Sequence, residues 1–402
     1  MKACGLVVEY NPFHNGHVYH LQQAKKVTNA DCIVAVMSGS FLQRGEPAII
    51  DKFHRAKAAL QTGVDLVLEL PFVCAVQHSD LFADGAVRIL HECKISALCF
   101  GSESGELSSF VHGYHAWKEN KTKFDIFLKE KLHLGYSFPQ AAKYAYEKLG
   151  LTAGDFDLTQ PNNILGFGYV RAIMENNFPM EPKTIRRIQS HYHDSHLHGN
   201  IASATSIRKE LLGNSVLTTK ARNSLPDSTI VQLDAYRKKA ALWHHWELYF
   251  PLLQYRINTM TPEELRQIFG VDEGMEYRIK KMASKAMKFA DLVRLVKSKR
   301  YTWTRIQRMF VYILANIKDE EMNRLKQAEI PYLRILGFTE RGKAFLNEKK
   351  KDIAVPLVTS YHRDQHPMLA IEEKASHAYY SVLKAENKQT LFQQEMQGPV
   401  QI

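Results

Sequence analysis

The fold of this chain is indicated by residues 3–17, which read ACGLVVEYNPFHNGH. The first six are small or apolar, as in a strand that is buried on both faces of a parallel sheet. A turn containing Pro12 follows, and the HNGH motif (residues 14–17) then leads into helical spacing over Val18 to Lys26. The stretch therefore predicts a strand, a turn and the start of a helix, in that order.

This order gives the HNGH motif a chemical meaning. A helix N-terminus offers unpaired backbone N–H groups and a partial positive charge to an anion, and Gly16 lets a phosphate or ribose approach the backbone. His14 and His17 lie three residues apart on the first turn, where both can donate hydrogen bonds to phosphate oxygens as charge develops. The alternative is that His14 only caps the helix and His17 is a satisfied histidine. A zinc site is disfavoured, because no third ligand is near.

Further apolar runs alternate with segments of helical periodicity. Strands are predicted at Cys32 to Ser38, Val64 to Leu70 and Ile95 to Phe100, and helices at Lys52 to Leu60 and Ser79 to His91. This alternation predicts an α/β fold with a Rossmann-like parallel sheet. Ligands of such sheets bind at the carboxyl ends of the strands, where the strand order reverses.

The second half of the chain has a different pattern. From about Asn214 to Ser228 the composition shifts to Ser, Thr, Asn and Pro, which predicts a linker. Helical spacing then dominates, at Ala240 to Phe250, Glu263 to Phe269, Arg278 to Val296 and Thr304 to Ile317. We therefore predict an α/β domain at residues 1–213 and a mainly α-helical C-terminal domain at 214–402, with the last dozen residues frayed.

Composition narrows the class of protein. The 402 residues are 45% hydrophobic and 24% charged, which suits a folded protein long enough for two domains. No apolar run approaches the roughly 20 residues that span a bilayer, and polar residues come too early for a signal peptide. The five cysteines form no CxxC pair and are predicted to be reduced core residues. The chain is therefore predicted to be cytoplasmic.

Positive charge is concentrated in the second half. Residues 1–213 carry 22 Lys and Arg against 21 Asp and Glu, whereas residues 214–402 carry 31 against 21. Between Arg278 and Arg308 eleven basic residues accompany one acid, Asp291, and the final part of this range, from Lys297 to Arg308, mixes cations with two aromatics, Tyr301 and Trp303. Cations neutralise phosphates, and an aromatic ring could stack on an unpaired base, so this region is predicted to bind RNA. The alternative is a packed helix pair with core aromatics and solvated cations.

A second motif, SATSIR at residues 203–208, follows the first in the order expected of one superfamily. The arrangement resembles the HxGH nucleotidyltransferases, which use a later phosphate-binding motif similar to Ile-Ser-Ser-Thr-x-Ile-Arg. The resemblance implies that hydroxyls and helix-start amides hold the outer phosphates and that Arg208 offsets charge on the pyrophosphate. Ala204 replaces one hydroxyl, and Ser203 or Thr205 could instead merely cap a helix. The KMASK segment (residues 281–285) lies in a helical pattern and is not assigned to ATP.

Longer stretches at residues 8–17, 37–48, 65–71 and 160–166 resemble the bacterial tRNA(Met) cytidine acetate ligases, and the similarity extends over the whole chain. Members of that family use ATP to activate acetate as acetyl-adenylate. They then transfer the acetyl group to the N4 amine of the wobble cytidine of elongator tRNA(Met). Mg²⁺ is expected with ATP, although no sequence feature locates its ligands.

The motifs and the resemblance together imply three sets of site residues. The catalytic residues are His14, His17 and Arg208. The ATP-binding residues are Val7, Val8, Glu9, Tyr10, Asn11, Pro12, Phe13, His14, Asn15, Gly16, His17, Val18, Tyr19, His20, Gly101, Asn162, Arg187, Ile188, Ser203 and Thr205. The tRNA-binding residues are Lys280, Lys281, Lys285, Lys299, Arg300, Arg305 and Arg308. The residues 39–42 and Arg44 are predicted to wall the acetate cavity.

Two other functions stay open at this point. One is a small-molecule adenylyltransferase of the same superfamily, and the other is an RNA-binding protein whose nucleotide site has lost catalysis. The histidine-rich patch from His191 to His198 is a metal site or, more simply, a polar loop. The sequence leaves the oligomeric state undetermined.

Overall fold

The computed structural model describes residues 1–152, 157–187, 202–214, 217–272, 274–361 and 366–402. Its central element is an eight-stranded sheet in the order β5-β4-β1-β2-β3-β6-β7, with β8 beside β6. The strands are β1 (Ala3–Val8), β2 (Cys32–Ser38), β3 (Leu66–Leu70), β4 (Ala97–Ser102), β5 (Glu181–Arg186), β6 (Leu333–Phe338), β7 (Leu357–Val358) and β8 (Val400–Gln401).

The first five strands form the predicted parallel sheet. β1 pairs in parallel with both β2 and β4, β2 with β3, and β4 with β5. Every residue of β2 and β3 is buried, which is why these strands are continuous apolar runs rather than alternating ones. The order reverses between β1 and β4, so a crevice opens at their carboxyl ends. The α/β, Rossmann-like fold is confirmed.

Helices cover both faces of this sheet and make up most of the second half. They are α1 (Asn15–Thr28), α2 (Lys52–Leu60), α3 (Phe72–Ala75), α4 (Ser79–Glu92), α5 (Leu107–Glu119), α6 (Lys121–His133), α7 (Phe138–Lys148), α8 (Pro161–Glu175), α9 (Ala204–Asn214), α10 (Thr219–Asn223), α11 (Asp227–Ala240), α12 (Trp246–Thr259), α13 (Pro262–Arg266), α14 (Met275–Ala283), α15 (Phe289–Val296), α16 (Trp303–Ala315), α17 (Asp319–Leu325), α18 (Glu340–Lys349), α19 (Pro367–Tyr380) and α20 (Ala385–Phe392). In the described part of the chain, none is long and apolar enough to span a bilayer.

Two long helices predicted for the second half are each interrupted. The prediction for Ala240 to Phe250 is wrong, because α11 ends at Ala240, Ala241 adopts a left-handed φ of 62°, and α12 begins only at Trp246. The segment from Arg278 to Val296 contains two helices, α14 and α15, rather than one. The helical periodicity of the sequence continues through both breaks, because the residues in the breaks are themselves compatible with helix.

The sheet is completed by the second half of the chain. β6 runs antiparallel to β3, with Leu66 opposite Phe338, and β8 pairs with β6. The sheet is therefore mixed. It contains strands from both sides of the predicted domain boundary between residues 213 and 214. The prediction that the last dozen residues are frayed is wrong, since Val400 pairs with Gly337 and Glu395 is fully buried.

The predicted linker from Asn214 to Ser228 is also structured in its described part, from residue 217 onward. It contains α10 and the start of α11, and the backbone N–H of Asn15 donates to the Ser224 carbonyl at 3.0 Å. The segment is thereby attached to the first residue of α1. The change in composition marked an irregular connection rather than a flexible one.

A buried ionic network attaches the C-terminal segment to the sheet. The Lys52 ammonium lies 2.7 Å from Glu69 and 3.0 Å from Glu395, and the Arg334 guanidinium lies 3.2 Å and 2.6 Å from the same two carboxylates. All four side chains are at most 1% exposed. Buried charges require such mutual compensation, because removing one partner leaves an unpaired charge in a medium that solvates it poorly.

Candidate functional site

A single cleft of about 1980 Å³ opens at the carboxyl ends of β1 and β4. The predicted residues that line it are Val7, Val8, Glu9, Asn11, His14, Gly16, His17, Tyr19, His20, Gly101, Asn162, Arg187, Ser203, Thr205, Arg208, Arg300, Arg305 and Arg308. Tyr10 and Phe13 are each 1% exposed and belong to the core, so they support the turn instead of reaching the cleft. Ile188 and the patch from His191 to His198 lie outside the described residues.

His14 and His17 form a capping pair at the start of α1. The His14 Nδ1 accepts from the Gly16 N–H at 3.0 Å, and the His17 Nδ1 accepts from the His14 N–H at 3.3 Å. Since each Nδ1 is an acceptor, each Nε2 carries the ring proton in the neutral imidazole. The rings stack with their centroids 3.8 Å apart. The two histidines therefore do cap the helix, as the alternative interpretation held. Because capping uses only Nδ1, the Nε2–H group of each ring remains as a donor at the cleft wall.

Both histidines are neutral near pH 7. Burial lowers the pKa of His14 to about 4, with a smaller contribution from the positive charge of Arg187. Burial likewise lowers the pKa of His17 well below its usual value, and the adjacent His14 adds to the effect. The pair can therefore donate hydrogen bonds to a developing negative charge, but it is not a source of protons.

The same burial makes stability depend on pH. Burial lowers the pKa of His20 to about 4 from about 6.5, so the unfolded state binds more protons between these values and the free energy of unfolding falls as pH falls. For His20 alone the loss between pH 7 and pH 5 is about 2 kcal/mol. We expect His20→Gln to flatten the pH dependence by about that amount, measured by urea unfolding at both pH values. Equal slopes for the variant and the wild type would contradict this.

Arg55 organises the turn between β1 and the HNGH motif. This arginine is 1% exposed, and its guanidinium donates to the carbonyls of Glu9 at 2.6 Å, Ser38 at 3.0 Å and Gly39. The carbonyls come from the carboxyl ends of β1 and β2, so one side chain fixes both strand ends beside the cleft. Sequence reasoning missed Arg55, because its partners are backbone atoms that carry no residue-type signal.

The SATSIR motif lies directly against the HNGH turn. Ser203 caps α9 by accepting from the Ser206 N–H at 3.1 Å. The Arg208 guanidinium donates to the Asn11 carbonyl at 2.9 Å and to the Glu46 carboxylate at 3.3 Å. A cation and a helix N-terminus thus face the same cleft as the two histidines. Glu46, which holds Arg208, was not predicted.

On the β4 side, a polar chain links three residues of the cleft. Arg187 donates to the Asn162 side chain at 2.6 Å, and the Asn162 amide donates to Glu103 at 2.6 Å. A Cβ on Gly101 would lie 3.0 Å from the Arg187 side chain, so a larger residue there would require Arg187 to shift slightly. Glu103 was missed, although it lies three residues after the predicted end of the fourth strand and directly after the observed end of β4.

The cationic region of the second half reaches the same cleft. Arg308, on α16, donates to the Gln43 carbonyl at 3.2 Å, and Arg305 lies 3.3 Å from the Asp272 carboxylate. Gly45 has a φ of 74°, and a Cβ there would clash with the backbone nitrogen of Arg308. The segment after β2 therefore packs tightly on α16. Of the predicted wall residues in that segment, Leu42 and Arg44 line the cleft.

The remaining predicted tRNA-binding residues fall into two groups. Lys280 donates to the carbonyls of Ile257 at 3.0 Å and Asn258 at 3.3 Å, and also to that of Met260, so its ammonium caps the end of α12. The exposed members are Lys281, Lys285, Lys299 and Arg300. Among the predicted tRNA-binding residues, the ammonium of Lys280 is therefore held by backbone carbonyls, whereas the side chains of the second group are exposed.

The predicted stacking role of Tyr301 is wrong. Tyr301 is 4% exposed, and its hydroxyl donates to Asp272. Trp303 packs against the core of the helical region, as the alternative interpretation held. Among the described residues, no three His, Cys, Asp or Glu side chains come together as a metal site.

The fold and this cleft define a class of protein. A family model described as HIGH Nucleotidyl Transferase matches residues 1–395, so the chain belongs to the HIGH nucleotidyl transferases. A protein of Oceanobacillus iheyensis is 52% identical over 400 residues, covering 100% of both chains, and one of Bacillus subtilis is 48% identical over 383 residues, covering 94% and 92%. Both are named tRNA(Met) cytidine acetate ligase. Within its class, the chain belongs to the tRNA(Met) cytidine acetate ligase family.

Solved structures agree with this assignment. The apo crystal structure of Thermotoga maritima TmcAL superimposes with a TM-score of 0.89 at 32% identity, covering 100% of both chains. A second crystal form of the same protein, bound with alpha-thio ATP, gives 0.89 at 31% identity. The resemblance inferred from the sequence motifs is confirmed.

Proposed function

We propose that this protein is an ATP-dependent ligase that joins acetate to AMP and then acetylates the N4 amine of the wobble cytidine of elongator tRNA(Met). The observation that carries the proposal is the continuity of one cleft. Its wall holds the Nε2–H donors of His14 and His17 at one place and the cations Arg305 and Arg308 at another. Such a cleft suits a nucleotide-activating site that must also admit RNA.

In the first step an acetate oxygen attacks the α-phosphorus of ATP and pyrophosphate leaves. Negative charge builds on the phosphoryl oxygens, and hydrogen bonds from His14 and His17 stabilise it because both donors are fixed by backbone contacts before the reaction begins. Arg208 offsets charge on the departing pyrophosphate. Mg²⁺ bound with ATP would reduce repulsion among the phosphate oxygens.

In the second step the cytidine amine attacks the acetyl carbon and AMP leaves. A mixed anhydride also reacts with water, so the cleft has to be filled by the RNA before transfer. Entry of an RNA loop beside Arg305 and Arg308 would close the side of the cleft away from ATP. This substrate also makes the cytoplasm the proposed location.

The decisive experiment supplies labelled acetate, ATP and total bacterial tRNA, and asks whether label enters a cytidine of elongator tRNA(Met). Transfer is expected to require both ATP and acetate. A small-molecule adenylyltransferase would instead show ATP–pyrophosphate exchange stimulated by a mononucleotide or phosphopantetheine and not by acetate. Absence of transfer at saturating ATP would overturn the proposal.

The exposed lysines provide a test of RNA binding. Replacing Lys281, Lys285 and Lys299 with alanine is expected to weaken tRNA binding and to reduce the slope of log affinity against log salt by nearly one per lost phosphate contact. ATP affinity should not change, because none of the three lines the main cleft. The matched control replaces three exposed lysines elsewhere, Lys25, Lys26 and Lys350. Equal effects of the two triple variants would mean that tRNA binds another surface.

A further inference from the structure

Glu9 is a carboxylate in a cleft whose wall also carries the cations Arg187, Arg208 and Arg308. It follows β1 directly and lines the cleft, and its Oε1 accepts from the Gln43 N–H at 2.9 Å. In the described part of the chain the Glu9 carboxylate has no other hydrogen bond. One oxygen is thus fixed by the segment after β2, while the other is left for a ligand.

The Glu9 side chain is held from the side of the cleft opposite to the predicted ATP contacts that follow β4. Gly101, Asn162 and Arg187 follow β4 or lie beside it, and β4 is the neighbour of β1 on one side. Gln43 belongs to the segment after β2, the neighbour on the other side. Glu9 therefore faces the half of the cleft where the acceptor must enter.

Adenylate formation has no use for this carboxylate. The reactants are acetate and a triphosphate, both anionic, and a carboxylate nearby repels them. The incoming cytosine is different, because its N4 amine is a hydrogen-bond donor, and Glu and Asp are the side chains that accept from it. The negative charge of the Glu9 carboxylate therefore has a chemical purpose only in the second step, the transfer of the acetyl group to the cytidine.

We propose that Glu9 is the general base of acyl transfer, accepting an N4 hydrogen of the cytidine and removing that proton as the amine attacks. This inference rests on the proposed function. The N4–carbon bond forms while the bond between the acyl carbon and the AMP oxygen breaks. AMP leaves with that electron pair, and the proton passes from N4 to the Glu9 carboxylate and then to solvent.

The surroundings of Glu9 raise the pKa of its carboxyl group. Burial is the main cause that raises the pKa of Glu9, and the negative charge of Glu46 adds to it. Arg208 and Arg55 lower the pKa, and Tyr169 also faces the carboxyl group. A raised pKa makes the carboxylate a stronger base at the moment of transfer.

The test separates the two half-reactions in the full-length protein. Glu9→Gln keeps an oxygen for the Gln43 N–H but cannot take a proton. Single-turnover transfer to tRNA is expected to fall about 100-fold further than acetate-dependent ATP–pyrophosphate exchange, the usual range for a lost general base. Hydroxylamine, a nucleophile that needs no such base, traps the acetyl-adenylate that each protein forms, so the transfer rate can be compared per adenylate formed.

A pH profile and a conservative variant complete the test. Wild-type transfer should fall as pH drops through the pKa of Glu9, because only the carboxylate accepts a proton, and Glu9→Gln should lack this dependence. Glu9→Asp should recover part of the rate. Equal losses in both half-reactions, or unimpaired transfer by Glu9→Gln, would overturn the role of Glu9 as a base but not the proposed function. Failure of the wild type to form acetyl-adenylate would overturn the proposed function and this inference with it.

Discussion

His17→Asn is expected to slow acetyl-adenylate formation by about 10²- to 10³-fold, the usual cost of removing one preorganised donor from a developing negative charge. Asparagine places an oxygen near the position of Nδ1, so it can still accept from the His14 N–H and keep the cap. It has no atom at the position of Nε2. The variant therefore removes the donor and spares the helix start.

Two further variants separate the donor from the cap. His17→Ala loses both and should match His17→Asn in rate, while being less stable by about 1 kcal/mol because a cap is gone. His17→Gln can carry an N–H toward the Nε2 position and should retain more activity than either. The measurements are acetate-dependent pyrophosphate exchange and urea unfolding. If activity followed stability across the three variants, the histidine would be structural rather than catalytic.

Arg334→Leu is expected to lower the free energy of unfolding by about 3–5 kcal/mol, the usual cost of breaking a buried ion network on one side. The arginine contacts Glu69 and Glu395 and lies 3.9 Å from the Tyr361 ring centre. After its removal only Lys52 would compensate these carboxylates. Burial and the negative charge of Glu69 also raise the pKa of Glu372 to about 8. Chemical denaturation measures the loss.

The control for this prediction is Arg341→Leu. Arg341 is 52% exposed and lies 3.9 Å from Asp65, so it should contribute less than about 1 kcal/mol. Removing residues 393–402 should destabilise the protein as Arg334→Leu does, since Glu395 and β8 would both be lost. A truncated protein as stable as the full chain would contradict the role given to the network.

The first four strands could be predicted because each is a continuous apolar run, the pattern that burial on both faces imposes. β6 was missed although residues 333–338 are mostly apolar. Arg334 interrupts the run, and only its partners Glu69 and Glu395, from distant parts of the chain, make that charge acceptable inside. Local periodicity contains no information about such compensation, nor about an antiparallel return to β3.

The residues of the site also fall into a group that the sequence could predict and a group that it could not. The HNGH and SATSIR motifs were found because their meaning lies in short spacing at a helix start. Arg55, Glu46 and Glu103 act through residues that are distant in sequence or through backbone carbonyls, so no motif marks them. Tyr301 shows the opposite error, because an aromatic residue among cations has the same sequence pattern whether its ring is exposed or buried against Asp272.

The pairing of β8 with β6 and of β6 with β3 governs when the chain can fold during synthesis. β3 emerges from the ribosome early, yet its free edge is covered only after residue 338 has been made, and β6 waits for Val400 and Gln401. At 5–20 residues per second, roughly 13–54 s separate β3 from its partner. The nascent protein thus exposes an apolar strand edge throughout that interval, and such an unpaired edge favours aggregation.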